Sequence, residues 1–139
     1  MAISFTSQNI PFSLKNKLAL KDWIKQIALK EKKQVGYINY VFLSDETLLK
    51  MNVDYLDHDT YTDIITFDYT EGKKISGDIF ISVDRIAENA VKFKVSFTDE
   101  LHRVIIHGVL HLCGYKDKKK ADAELMRNKE NASLKIRRF

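Results

Sequence analysis

Apolar and polar residues alternate with different periods along the chain, and each change of period marks an element. Residues 2–6 carry a short strand pattern that Asn9-Ile10-Pro11 brings to an end. From Ser13, read as an N-cap, Leu14, Leu18, Trp23, Ile24 and Ile27 recur at helical spacing. Lys17, Lys21, Lys25 and Lys32 fall mainly outside that stripe, so the segment is an amphipathic helix. Residues 37–43 alternate with β-branched and aromatic side chains, and Ser44-Asp45-Glu46 then supplies a cap and an acidic first turn for a helix to about Tyr55. Two short apolar strands follow at Ile64–Phe67 and Ile79–Val83, joined through a turn at Glu71-Gly72-Lys73-Lys74.

The second half reads as three helices. Asp84 to about Lys94 turns Ile86, Ala90 and Phe93 inward. Thr98 is expected to cap a helix that runs to Cys113 and stops at Gly114. Leu101, Val104, Ile105, Ile106, Val109, Leu110 and Leu112 leave that helix almost no polar face, the pattern of a helix buried on most sides. A last, highly charged helix spans about Lys120 to Lys135. The elements sum to an α+β layer, a mixed sheet of roughly four strands packed with about five helices.

Length and composition narrow this picture without changing it. The 139 residues contain no repeat, Gly/Ser linker or low-complexity tract and suit a single domain, 1–139. One cysteine, Cys113, excludes an internal disulfide framework. The start of the chain lacks the layout of a secretory signal, so a reducing cytoplasm is expected. No apolar run approaches the roughly 18 residues that cross a bilayer, and no membrane partner is expected. Net charge is +4, unevenly spread: residues 1–44 hold seven Lys against two acids, residues 45–100 six basic against thirteen acidic groups, and residues 116–139 nine against four. Basic ends around an acidic middle suit a polyanion partner together with a metal-attracting patch; solvated lysine-rich helix faces are the alternative.

The chemistry concentrates on the apolar helix. His107 and His111 are four apart, so their imidazoles leave one face about one turn from each other, as two ligands of one ion require. Gly114 lets the chain turn back sharply and bring the Asp117 carboxylate beneath both rings. The competing reading is a pair of core histidines sharing a polar pocket. Three ligands leave open positions on the ion, which points to catalysis rather than to a closed structural site; Cys113 lies on another side of the helix and reads as core. Such an ion acidifies water and polarises a scissile group. The spacing matches an extended zinc-protease motif, but the residue after the first histidine, where that motif has its general-base Glu, is Gly108. A phosphodiester substrate, which needs charge neutralisation more than a carboxylate base, suits the site better than a peptide.

The string HGVLHLCGYKD, preceded by Glu100-Leu101, resembles the signature of the YbeY endoribonucleases. Asn52-x-x-Tyr55, Thr62–Phe67 and Gly77-Asp78-Ile79 resemble the other blocks of that family in the same order. The resemblance implies a single-strand-specific, metal-dependent RNase that acts on the 16S rRNA precursor in maturation of its 3′ end and in ribosome quality control. It carries His107 and His111 over as ligands. The usual third ligand is His; here it is Asp117, preceded by Lys116 where the family has Asp. A carboxylate in that place keeps Zn²⁺ as first choice but moves preference toward harder ions such as Mn²⁺. The family's phosphate-binding Arg after Asn52-x-x-Tyr55 is Leu56, so either that role passes to another group, with His58, Lys50, Arg85 and Arg103 as candidates, or activity is weak. Lys116, Lys118, Lys119 and Lys120, beside Asp117, are expected to add positive charge at the rim for single-stranded RNA, with Lys116 and Lys118 as the named contacts; a solvated charge run is the alternative. His58 otherwise reads as an exposed loop residue, His102 as surface or as support behind the ligands, and Asp63 and Asp78 as structural residues at strand edges. Two other classes stay in view: a non-catalytic, metal-stabilised RNA-binding module of the ribosome, motivated by Leu56, and a metallopeptidase lacking its base.

Overall fold

The computed structural model describes residues 2–58 and 60–139. In chain order the elements are β1 (Ala2–Ser7), α1 (Lys17–Lys30), β2 (Gln34–Leu43), α2 (Asp45–Leu56), β3 (Ile64–Asp68), β4 (Lys74–Ser82), α3 (Val83–Phe93), α4 (Phe97–Leu112) and α5 (Lys120–Lys135). The expected α+β class is the one observed, with a mixed four-stranded sheet and five helices among the described residues. Strand order is β1-β2-β4-β3; β1, β2 and β4 run parallel, and β3 returns antiparallel to β4. The β3–β4 hairpin turns at Gly72, whose φ of 60° is one that glycine adopts at no steric cost.

Alternation along the strands sends the two sheet faces to different cores. Ile38, Tyr40 and Phe42 of β2 and Ile79 and Ile81 of β4 join Trp23, Ile24 and Ile27 of α1 and most of α4 in the main cluster. On the opposite face Leu43 and Ile65 pack with Leu48 of α2 in a smaller one. The burial expected for α4 is found: ten of its sixteen residues are buried. Gly108 lets it lie close to the sheet, because a Cβ there would stand 2.8 Å from Ile79 Cδ1 and 3.3 Å from Ile64 Cδ1. Among the described residues no helix is long and apolar enough to cross a membrane.

Several local expectations are corrected. Ser13 does not cap α1, which begins at Lys17 after Asn16 in the left-handed region. Its buried stripe is Leu20, Trp23, Ile24, Ile27 and Ala28, and Leu18, two positions off that stripe, is 79% exposed. Ser96, not Thr98, caps α4 by accepting from the Asp99 amide, so the helix starts earlier. Phe93 is half exposed, since the face that carries Ile86 and Ala90 runs past the core in its last turn and meets a cavity. Strands β2 and β4 start earlier than their most apolar residues do, because parallel ladder bonds extend from Gln34 and Lys74.

Candidate metal centre

Helix α4 ends in a Schellman motif: the Gly114 amide donates to the His111 carbonyl at 3.0 Å and the Tyr115 amide to the Leu110 carbonyl at 3.1 Å. Gly114 has φ 106°, outside the range that suits a side chain. The returning loop is pinned through Tyr115, whose hydroxyl donates to Glu31 Oε1 at 2.5 Å while Lys129 Nζ donates to Glu31 Oε2 at 3.0 Å. This turn sets Asp117 against the last two turns of α4. Asp117 Oδ2 lies 3.2 Å from His107 Nε2 and 3.5 Å from His111 Nε2. The two rings are 4.7 Å apart and nearly perpendicular, and one donor atom from each of the three residues lies within 4.8 Å of the others.

Two imidazole nitrogens and a carboxylate converging in this way form a donor set that could hold a metal ion. The cluster is open on one side, with 38% of the Asp117 side chain and 31% of the His111 side chain exposed. It opens into a cavity of about 670 Å³ whose walls include Asp63, Glu100 and Glu130, and whose edge includes Leu56, His58, Phe93, Lys118 and Arg127. Burial pushes the Glu100 carboxyl above its ordinary range, and the nearby Asp63 charge adds to that. Burial also raises Asp63, against the pull of His107.

Glu130 was not legible as part of this site. It reaches His107 from α5, with Oε2 at 2.6 Å from Nδ1, and Arg103 Nη1 donates to its Oε1 at 3.0 Å. Burial alone would lower the His107 pKa, but the bond and charge of Glu130, with Asp117 and Asp63, hold it above the ordinary value. Burial would raise Glu130, and His107 and Arg103 hold it below instead. Met126, Glu130 and Ser133 are the buried residues of α5, and which face of this largely polar helix is buried is decided by its packing rather than by a pattern in the sequence. Arg127, one turn before Glu130, was likewise missed.

The remaining candidates separate by location. Lys118 borders the cavity; Lys116 is exposed and is not among the lining residues. Arg103 lines the cavity but spends its guanidinium on Glu130 and, at 2.8 Å, Asn131. Arg85 is held by Asp45 at 2.7 Å and Glu88 at 3.3 Å, and its guanidinium sits 5.1 Å from the Tyr61 ring centroid. Lys50 pairs with Asp54 on the α2 surface. Asp78 accepts from Asn39 Nδ2 at 3.1 Å, a link within the sheet. Cys113 is half-buried, with its thiol pushed up to about 11 chiefly by burial. His102 is neither surface nor support for the cluster: it is buried between Trp23 and Phe139, with Arg137 Nη1 at 2.7 Å from its Nδ1.

Comparison with known proteins adds a lineage to this geometry. The profile of the family described as Endoribonuclease YbeY matches residues 2–137. Similar curated proteins include the Endoribonuclease YbeY of Flavobacterium johnsoniae, 58% identical over 88% of this chain and 88% of its own length. That of Cytophaga hutchinsonii is 52% identical over 99% of this chain and 96% of its own. Among solved structures, the solution structure of TM1509 from Thermotoga maritima superposes with a TM-score of 0.67 at 26% identity, covering 96% of this chain and 87% of that one.

Proposed function

Because the chain belongs to the endoribonuclease YbeY family, whose substrate bond is the RNA phosphodiester, we propose that it cleaves single-stranded RNA at a divalent-metal centre held by His107, His111 and Asp117. The observation that carries this reading is the meeting of three donor atoms at the wall of a cavity large enough for a nucleotide, with two cationic side chains at its edge. Zinc is the first choice for two imidazoles and one carboxylate, with manganese favoured by the carboxylate. When bound, the ion supplies Lewis acidity toward the phosphodiester.

The chain's own residues account for the rest. His107 and His111 present Nε2 lone pairs, and Asp117 adds a negative charge that strengthens binding of a dication. Lys118 and Arg127 draw the phosphate backbone to the edge, where Leu56 offers only apolar contact. No general-base carboxylate fits next to His107 on the helix, because Gly108 is packed against Ile79 and Ile64; this weighs against a peptidase. The biological substrate in this reading is the 16S rRNA precursor at its 3′ end, within ribosome maturation and quality control in the cytoplasm, and the whole chain, 1–139, works as one domain.

A single assay tests the reading. Purified protein loaded with zinc or manganese should cut a single-stranded RNA that carries the 16S 3′ precursor junction. The matching duplex should stay intact, and chelation or His107→Ala should reduce cutting to background. Cleavage that survives unchanged in purified H107A protein overturns it, and RNA binding without scission under any metal favours the non-catalytic module that Leu56 suggests.

A further inference from the structure

Resting on the metal reading of the site, we infer that Glu130 is a positioning residue that fixes His107 in the tautomer with the proton on Nδ1, so that Nε2 is left as a lone pair aimed at the position shared with His111 and Asp117. A neutral imidazole has one donor and one acceptor nitrogen, and an unconstrained ring exchanges them. Here the choice is made by contact. Glu130 Oε2 lies 2.6 Å from Nδ1, and Glu130, 6% exposed at its side chain, can only accept when ionised.

The carboxylate is itself held. Arg103 Nη1 donates to Oε1 at 3.0 Å, and its Nη2 is fixed by Asn131 Oδ1 at 2.8 Å. Arg127 stands 3.7 Å from the same Oε1. These contacts leave Glu130 one orientation, with one oxygen for the arginines and the other for the imidazole. The group that fixes the ring therefore comes from α5, while both histidines come from α4, and the Arg103–Glu130–His107 chain ties the docking of the last helix to readiness of the metal site. A partner of this kind behind a ligating histidine orients the ring and raises its basicity.

The test compares the wild type with Glu130→Gln, which keeps size and shape but can donate to Nδ1 as well as accept from it. Zinc affinity, measured by competition with a chromophoric chelator, should fall roughly 10–100-fold in E130Q. Long-range nitrogen–proton NMR spectra of the metal-free wild type, recorded at a pH high enough for His107 to be neutral, should show its single ring proton on Nδ1, and those of E130Q a mixture of tautomers. Equal zinc affinity in the two proteins, or a neutral wild-type His107 with its proton on Nε2, overturns the inference and leaves the metal reading standing. Wild-type protein that binds neither zinc nor manganese overturns the metal reading, and the role of Glu130 with it. The wild-type tautomer is read without any substitution, so a variant that folds poorly does not rescue a wrong assignment.

Discussion

At the scale of single residues, the same side chain does different work in different surroundings, and the four histidines illustrate it. His107 and His111 present nitrogens to a shared opening, His58 lies exposed at the cavity edge, and His102 is sealed among aromatic rings. Burial, and then the Arg137 charge, push the His102 pKa down to about 4 from an ordinary 6.5. The unfolded chain therefore binds a proton in that interval that the folded chain refuses, so this contribution to stability is complete above about pH 6.5 and lost as pH falls toward 4. By about pH 5 the loss should reach on the order of 2 kcal/mol. In His102→Gln the amide oxygen can still accept from Arg137, and the melting temperature should fall less between about pH 7 and 5 than in the wild type. Parallel profiles would show that His102 does not titrate in this way. The sequence reading of His102 as surface or as support behind the ligands failed because a single polar residue near a helix start has no periodicity to report. Its burial is set by Trp23 and Phe139, which lie far away in the chain.

At the scale of elements, the decisive unit is α4 with the turn that follows it. Its apolar run was legible in full, since helical spacing and Gly114 are local properties. The start was misjudged by two residues: Ser96 and Thr98 are both good caps, and the choice between them depends on where α3 releases the chain, at Lys94 in the left-handed region. Gly114→Ala tests the turn. No atom crowds the position, so the penalty is purely one of backbone conformation at φ 106°. The substitution should cost about 1–2 kcal/mol and lower the melting temperature accordingly. If Asp117 contributes to the metal site as proposed, zinc affinity should fall as well, because the turn that carries it must relax. Unaltered melting and titration curves would mean that the turn tolerates a side chain.

At the scale of the whole molecule, charge and topology act together. The basic C-terminal segment folds across α4, so that Lys118 and Arg127 come to the cavity edge while Arg85 is spent on Asp45. Binding of single-stranded RNA should accordingly weaken with salt. Lys118→Gln and Arg127→Gln should each reduce the slope of log affinity against log salt by about 0.7, one phosphate contact apiece. Arg85→Gln should leave the slope unchanged. Binding by filter or anisotropy titration at several salt concentrations separates these outcomes, and equal slopes in all four proteins would place the RNA on another face.

The sequence by itself determined what depends on neighbours within a few positions: the α+β order of elements, the buried character of α4, the pairing of His107 with His111 one turn apart, and the reversal at Gly114. Helical spacing and glycine stereochemistry operate at short range, so each could be read without knowing the fold. Tertiary structure alone decided which of many charged residues entered the site. Glu130 is one of four acids in the last 24 residues and Arg103 stands four positions before His107, yet their contact at the imidazole follows from how α5 packs across α4. Packing of two helix surfaces selects one partner from several chemically equivalent candidates, and no local pattern encodes that choice.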